Sequence, residues 1–318
     1  MQSSLPGGAR RTLRRLATAT AAAGMAAAMA GTATAAEAAG PSAPAAPTAP
    51  TAAVRTGVPQ GAVALPSALA RAGTSRVAAL PLNAIDGKGT LCGWNPSSKG
   101  GFGSPTCYSG YSFVNGAVAG SINSDRTEDV FLRHRSNGHL YGFVSGVSKP
   151  IDEGAGWNGY TALAMPGNLG GTAADDVVGR DRSGVLWVHP GYSNGHLGRR
   201  IRVGSGWNTY RAIFGKFDYT GDGRTDLLGV DYHNTVWVHP GTGDVKRPFH
   251  RRIRLATNFR GYDYVLSTGD VNRDGRSDFL ARDTSGRLWL FRGYNRVSRP
   301  FAARYSLGTA LRNEKIIF

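Results

Sequence analysis

Short apolar runs separated by polar turns recur along residues 120–318. Three stretches share an aspartate, an apolar run, a polar turn, and a second apolar run with a tryptophan: 176–191 (DVVGRDRSGVLWVHPG), 226–241 (DLLGVDYHNTVWVHPG) and 278–293 (DFLARDTSGRLWLFRG). A fourth copy at 129–146 has Tyr141 in place of the tryptophan. Two strands joined by a tight turn explain each copy. The leading aspartates lie 47, 50 and 52 residues apart, so the pattern predicts a repeat of about 50 residues.

Each repeat contains two further candidate strands. One is basic and occupies 198–204, 250–256 and 303–308. The other follows a GWN tripeptide or its remnant and occupies 156–165, 206–215 and 262–269. Four strands in about 50 residues is the size of one β-propeller blade.

A degenerate fifth copy precedes these four. Asp86, a turn and Leu91 lie in the register of the later GRDRSGVLW segments, and we interpret Gly93-Trp94-Asn95 as another GWN link. At the other end of the chain, 314–318 (EKIIF) aligns with the first strand of a blade (YRAIF, 210–214) and no blade follows it. The pattern therefore predicts an all-β propeller of five four-stranded blades closed by the C-terminal strand. Two alternatives are four blades with an N-terminal cap, and a part of an intermolecular assembly.

Composition predicts three regions. Residues 1–35 read as a secretory signal peptide, with Arg10, Arg11, Arg14 and Arg15 before an alanine-rich stretch and an A-x-A site at 33–35. The pair Arg10-Arg11 hints at twin-arginine export. Residues 36–76 are rich in Ala and Pro and predict a disordered linker, which leaves 77–318 for the propeller. We therefore expect a secreted protein that does not insert into a membrane.

The charge balance and the cysteines refine this expectation. The chain has 37 Lys and Arg against 21 Asp and Glu, a formal net charge of +16. Such a surplus suits anionic partners such as cell-wall polymers, although it also serves solubility alone. Outside the cytoplasm the two cysteines, Cys92 and Cys107, predict a disulfide. Two free buried thiols are the alternative.

The scarce carboxylates concentrate in two nonapeptides, 218–226 (DYTGDGRTD) and 270–278 (DVNRDGRSD). Oxygen atoms at positions 1, 3, 5, 7 and 9 of such a loop can surround Ca²⁺, and glycine at position 6 allows the sharp turn. The predicted ligands, with the two arginines contributing backbone carbonyls, are Asp218, Thr220, Asp222, Arg224, Asp226, Asp270, Asn272, Asp274, Arg276 and Asp278. Position 12 lacks the glutamate of an EF-hand, and a plain Asp/Gly-rich turn is the alternative. The loops 121–129 and 168–176 depart from the pattern, so we expect two structural calcium ions.

The aspartate loops and the recurring RD-x-x-G-x-LW segments resemble the FG-GAP/VCBS repeats of extracellular β-propellers, which are known from integrin heads and secreted bacterial proteins. The resemblance covers about 120–318 clearly and 77–119 weakly. It implies a propeller in which the complete loops bind structural calcium.

Function is predicted less sharply than fold. The chain contains no catalytic motif, and His189 and His239 occupy the same repeat position, so we do not expect an enzyme. Trp94, Trp157 and Trp207 are candidate ligand-binding residues because aromatic faces stack on sugar rings, although they could instead wedge blades together. We expect a lectin-like protein that binds extracellular or cell-wall glycans. The alternative is a scaffold for a secreted protease or a wall-anchored protein. Nucleic acid is not an expected partner, because the basic residues are spread over several blades.

Overall fold

Every copy of the repeated pattern folds as an antiparallel hairpin. A computed structural model describes residues 77–318. The predicted signal peptide (1–35) and linker (36–76) lie outside the described residues. Within 77–318 the ordered elements are twenty strands and two short 3₁₀ turns, Trp157–Gly159 and Trp207–Thr209. None of the helices in this part of the chain is long and apolar enough to span a bilayer.

The strands form five sheets of four strands each. The first blade contains β1 (Leu82–Asp86), β2 (Leu91–Pro96), β3 (Phe102–Tyr108) and β20 (Glu314–Ile317), and the second contains β4 (Val114–Gly120), β5 (Asp129–His134), β6 (Leu140–Phe143) and β7 (Ile151–Asp152). The third contains β8 (Tyr160–Gly167), β9 (Asp176–Asp181), β10 (Leu186–His189) and β11 (Ile201–Gly204). The fourth contains β12 (Tyr210–Phe214), β13 (Leu227–Asp231), β14 (Val236–His239) and β15 (Ile253–Ala256). The fifth contains β16 (Tyr262–Gly269), β17 (Asp278–Asp283), β18 (Leu288–Phe291) and β19 (Tyr305–Gly308).

The C-terminal strand closes the ring as predicted. Strand β20 pairs antiparallel with β1, with Ala84 opposite Ile317 and Ile85 opposite Ile316. The first blade thus takes its innermost strand from the end of the chain and its other three from residues 82–108. This pairing satisfies the backbone edge that β1 would otherwise expose. The five-bladed, all-β prediction is confirmed.

The interpretation of Gly93-Trp94-Asn95 as a GWN link was wrong. These residues lie inside β2, where Trp94 pairs with Leu82 of β1. In the third blade the residue at this position is His189, which pairs with Val177. The chain continues as a strand here because the hairpin to β3 follows directly. The link to the second blade lies later, around Tyr111.

The core of the protein lies in the seams between neighbouring blades. Five clusters of buried apolar side chains each join two adjacent blades. We call the seam between the fifth and first blades the closure seam. Its cluster includes Trp94, Leu288, Leu290 and Leu311. Burial of these side chains, at roughly 1.5–3 kcal/mol each, holds the blades in a ring.

Arginines also join one blade to the next through hydrogen bonds to backbone carbonyls. We call each such set of bonds an arginine latch. Arg180 donates from one guanidinium nitrogen to the carbonyls of Trp207 and Tyr210 in the following blade. Arg133 and Arg282 make the equivalent bonds across their seams. The fourth blade has Val230 at this position, and there Arg211 of the first strand donates to the Phe259 carbonyl instead. A cation on either of two strands can therefore supply the latch.

The predicted disulfide is present. Cys92 of β2 and Cys107 of β3 lie opposite one another and are joined by an S–S bond of 2.02 Å. The bridge staples the outer strand of the first blade to its neighbour.

Candidate functional site

The aspartate that ends each nonapeptide has the same role in four blades. Asp226 is fully buried, and its Oδ2 accepts the N–H groups of Tyr219 (2.8 Å) and Thr220 (3.0 Å). Its Oδ1 accepts the N–H of Gly241 (2.8 Å), just after the third strand. Asp129, Asp176 and Asp278 form the matching pair of attachments. The bonds occur in complete and degenerate loops alike, so this aspartate ties the loop to the blade independently of any cation.

Burial affects the acidity of these groups. It raises the pKa of Asp129 to about 6, and the pKa values of Asp176, Asp226 and Asp278 to about 7. The cause is desolvation of the charged form, which the backbone N–H bonds only partly offset.

The remaining carboxylates of the two complete loops bond to their own backbone. Asp218 accepts N–H groups from Thr220, Gly221 and Gly223, and Asp222 accepts the N–H of Arg224. The second loop repeats this arrangement with Asp270 and Asp274. Within 77–318 no three His, Cys, Asp or Glu side chains group as a metal site requires. The donor set is the kind that Ca²⁺ prefers, but the bonds are those of a plain turn, so calcium stays a prediction.

The loop backbone is shared even where the sequence departs from the pattern. Position 6 lies in the left-handed region at Gly223 (φ 81°) and Gly275 (φ 86°). In the degenerate loop Arg126 adopts the same region with φ 64°. This conformation is costly for a residue with a side chain. The fold therefore imposes the turn there despite the arginine.

The third-strand tryptophans belong to a repeated cluster of three side chains. Trp187 donates its Nε1–H to Asp181 Oδ2 (2.9 Å), and the Arg200 guanidinium lies 4.2 Å from its ring centre. The fourth and fifth blades repeat the cluster in the trios Asp231–Trp237–Arg252 and Asp283–Trp289–Arg304. The hydrogen bond from Trp187 lowers the pKa of Asp181. The basic outer strands are thus partly explained by cation–π stacking.

The three candidate ligand-binding tryptophans are buried. Trp157 and Trp207 are only 5% and 7% exposed, and each ring lies 4.4 Å from a histidine ring, His189 and His239 respectively. Trp94 is 7% exposed. All three rings belong to the apolar clusters in the seams. This position fits the alternative role, in which the tryptophans wedge neighbouring blades together, better than stacking on sugar rings.

Charge distinguishes the outer edges of the blades. The segments that lead into and include the outer strands of the third, fourth and fifth blades (190–206, 240–258 and 292–308) contain twelve Lys and Arg and one Asp. The corresponding segments of the first two blades (95–110 and 144–156) contain two Lys, one Asp and one Glu. We call the first three segments the basic edges. The positive charge of the outer edges is therefore concentrated on the third, fourth and fifth blades.

Two cavities lie between the blades. One, of about 400 Å³, is lined by the first strands of all five blades and forms the central channel. Beside it the buried Lys216 donates to the carbonyls of Ala119 (2.9 Å) and Met165 (2.8 Å) and pairs with Asp175 (3.3 Å). The other cavity, of about 540 Å³, opens at the closure seam beside Trp94.

The segment that contains both complete loops matches a known repeat family. Residues 218–281 match the FG-GAP-like repeat family. The chain contains an FG-GAP-like repeat. The resemblance predicted from the aspartate loops is therefore confirmed for this segment, which runs from the loop before β13 into β17.

Known proteins of similar fold share little sequence with this chain. The BP39L lectin from Burkholderia pseudomallei is 16% identical, with 72% of each chain covered and a TM-score of 0.42. AofleA from Arthrobotrys oligospora is 11% identical, with 73% of this chain and 69% of that chain covered and a TM-score of 0.43. A chain of a nidogen/laminin complex is 14% identical, with 74% and 80% covered and a TM-score of 0.43. No curated protein matches the sequence.

Sequence reasoning missed residues that shape the sites of this propeller. Lys216 has no equivalent in the other repeats, so no sequence pattern marks it. Arg292 looks like one more basic edge residue, and only the fold places it beside Trp94. Leu311 could have been found from the sequence, because it occupies the same position in its link as Trp157 and Trp207 do in theirs.

Proposed function

We propose that the protein binds an anionic glycan or cell-wall polymer along the basic edges of its third, fourth and fifth blades. The observation that carries this proposal is four exposed arginines in the outer strands of two adjacent blades and in the segments that lead into them: Arg199, Arg202, Arg251 and Arg254. Among the described residues none forms a hydrogen bond or ion pair with these four guanidinium groups. Their charge is therefore free for a partner.

The chemistry of the guanidinium group favours carboxylate, sulfate or phosphate groups as that partner. Its planar fork of N–H donors binds such oxyanions through two parallel hydrogen bonds. Repetition on neighbouring blades suits a polymer, because each additional contact becomes intramolecular once the first has formed.

Stacked arginines hold the basic edges in a defined shape. Arg252 lies over Trp237 at 4.1 Å and donates to the Tyr210 hydroxyl (2.8 Å). Arg200 and Arg304 make the equivalent stacks and bonds in their blades. An edge ordered in advance loses less side-chain entropy on binding.

We also propose that the two complete aspartate loops bind structural calcium. Asp222 and Asp274 would supply the central carboxylates, and the ion would offset the repulsion among three nearby carboxylates. The export predicted from residues 1–35 would bring the protein to calcium-rich surroundings and to wall polymers.

Charge reversal on the basic edges tests the binding proposal. The double variant Arg202→Glu/Arg254→Glu should reduce the affinity for heparin, a sulfated polysaccharide probe, by at least about tenfold, which corresponds to about 1.4 kcal/mol. The control Lys88→Glu/Lys149→Glu makes the same change in net charge at exposed lysines of the first two blades. Surface plasmon resonance at fixed salt measures both. Equal losses in the two variants, or no loss in the first, would overturn the proposal.

A further inference from the structure

The closure seam and the seam between the third and fourth blades differ in the elements that supply their large rings. In the latter seam Trp207, from the link, stacks on His239 of the third strand. At the closure seam the link supplies Leu311, and the third-strand position is occupied by Trp94. The closure seam therefore has one bulky ring where the other has two.

The loop after the third strand also differs. In the fourth blade this loop carries Val245 and Phe249, which pack against the seam cluster. In the first blade the loop contains Gly100 and Gly101, and the strand that follows begins with Phe102, which packs against the cluster, and Gly103. Three glycines remove the side chains that would fill the seam.

A cleft of about 540 Å³ results. Its volume lies within the range of about 300–1,000 Å³ typical of small-molecule sites. Aromatic side chains of Trp94, Phe102 and Tyr305 line it, and Tyr305 is 62% exposed. A sugar ring can stack against such an exposed aromatic face.

The charge of the cleft is positive. Lys99 and Arg292 line it, both are exposed, and no carboxylate belongs to the lining. Among residues 77–318 neither cationic group has a hydrogen-bond or ion-pair partner. Two unpaired cations on facing blades suit one anionic ligand between them.

The walls of the cleft are fixed before any ligand arrives. Gly101 donates its N–H to the Val271 carbonyl (2.9 Å), and Arg273 Nε donates to the Ser97 carbonyl (2.6 Å). These bonds join the loop of the first blade to the fifth blade. A preformed site avoids the entropy cost of ordering a loop on binding.

We propose that this cleft binds a single anionic sugar, a hexuronate unit, with its carboxylate between Arg292 and Lys99 and its ring against Tyr305. The choice of a sugar rests on the proposed function. Arg292 and Tyr305 belong to the basic edge of the fifth blade, but they are distinct from Arg202 and Arg254 on the edges of the other two blades. The cleft would hold one sugar unit, whereas the basic edges would hold a chain.

The test uses free D-glucuronate as the probe and D-glucose as its uncharged counterpart. Titration calorimetry should show one glucuronate per protein and at least tenfold weaker binding of glucose. Arg292→Ala should weaken glucuronate binding by at least tenfold, and Leu311→Trp should abolish it by filling the floor. Arg296→Ala and Phe259→Trp are the controls, on an exposed arginine of the same blade and on the link residue of a filled seam, and both should bind as the parent does.

The outcomes separate this proposal from the polymer proposal. The edge variant Arg202→Glu/Arg254→Glu should keep its glucuronate affinity, and Leu311→Trp, which leaves every cation of the basic edges in place, should keep its heparin affinity. Arg292 lies on the surface, so its variant reports on the cleft even if Leu311→Trp fails to fold. No heat with glucuronate at tens of millimolar, or undiminished binding in Arg292→Ala, would overturn the cleft as a sugar site whatever heparin does.

Discussion

The closure seam and the seam between the third and fourth blades perform the same task with different side chains. An arginine latch crosses both seams, from Arg180 in one and from Arg282 in the other. In the seam between the third and fourth blades, which we call the ordinary seam, the space is occupied by Trp207 stacked on His239. The closure seam pairs Leu311 with Trp94 and leaves a cleft. The repeat thus fixes the place in a seam that a bulky side chain fills, but not whether the link or the third strand supplies that side chain.

This difference also separates structural from functional positions. Where the repeat is regular, aromatic and histidine side chains are buried and serve the ring. At the closure seam the repeat pattern is irregular. Two cations and an exposed tyrosine line the cleft there. The irregular seam is therefore where a ligand site can form without weakening the other four.

Removal of the C-terminal strand should have the largest effect, because this strand packs in the closure seam and also in the seam between the first and second blades. Deletion of 314–318 would expose the backbone edge of β1 and unpack Ile317 and Phe318, both buried. We expect loss of cooperative unfolding, or aggregation, in a thermal melt followed by circular dichroism. Lys315→Ala, on the same strand but exposed, should melt as the parent does. A truncated protein with an unchanged melting temperature would contradict closure by this strand.

Truncation of the link residues should compare the two seams directly. Trp207→Ala should lower the free energy of unfolding by about 3–5 kcal/mol, and Leu311→Ala by about 2–4 kcal/mol, because the ordinary seam loses a larger buried side chain. Urea unfolding measures both. A larger loss at Leu311 would mean that the closure seam is the better packed of the two.

The ring and its register could be predicted from sequence because they depend on repetition. The leading aspartates and the apolar runs recur at about 50 residues, and the final EKIIF aligns with a first strand. The misplaced Gly93-Trp94-Asn95 shows the limit of this reasoning. A tripeptide match carries no information on strand pairing, and only the pairing of Trp94 with Leu82 places it in β2.

The candidate sites were less predictable from sequence, because they depend on which side chains from distant parts of the chain face one another in the fold. The basic outer strands were visible in the sequence, but their stacking on Trp187, Trp237 and Trp289 was not. The cleft joins Lys99 to Arg292 across 193 positions of the chain, and no repeat relates them. Long-range contacts of single residues leave no periodic signal.

Acid should weaken the ordinary seam and spare the closure seam. Burial lowers the pKa of His239 to about 3, below the unfolded value of about 6.5. The stability that neutral His239 contributes is thus present above pH 6.5 and is lost as the pH falls toward 3. At pH 4 this loss is about 3 kcal/mol. His189, whose pKa burial lowers to about 4, acts in the same direction.

A difference experiment isolates this titration from the rest of the protein. The buried Asp129 and Asp176, with raised pKa values, gain stability over part of the same range and flatten the total profile. We therefore expect the stability advantage of the parent over His239→Phe to shrink between pH 7 and pH 4 in urea unfolding. A constant difference for His239→Phe would refute the assignment.

The smallest expected effect comes from exchanging the side chains of the two seams. Trp94→His combined with Leu311→Trp gives the closure seam the ring arrangement of the ordinary seam. If seam volume decides stability, the double variant should lie within about 1.5 kcal/mol of the parent, whereas Trp94→His alone should cost more. Simple additivity of the two single changes in urea unfolding would argue that the positions do not compensate.

The central claim, that this propeller recognises the negative charge of a glycan, is tested most directly by a matched pair of polymers. Carboxymethyl-dextran and dextran share one backbone and differ in their carboxylates. Surface plasmon resonance at constant salt should show binding of the parent protein to carboxymethyl-dextran, with an affinity that falls steeply as salt rises. Dextran should bind at least about tenfold more weakly. Equal binding to the two polymers, or binding to neither, would contradict the account.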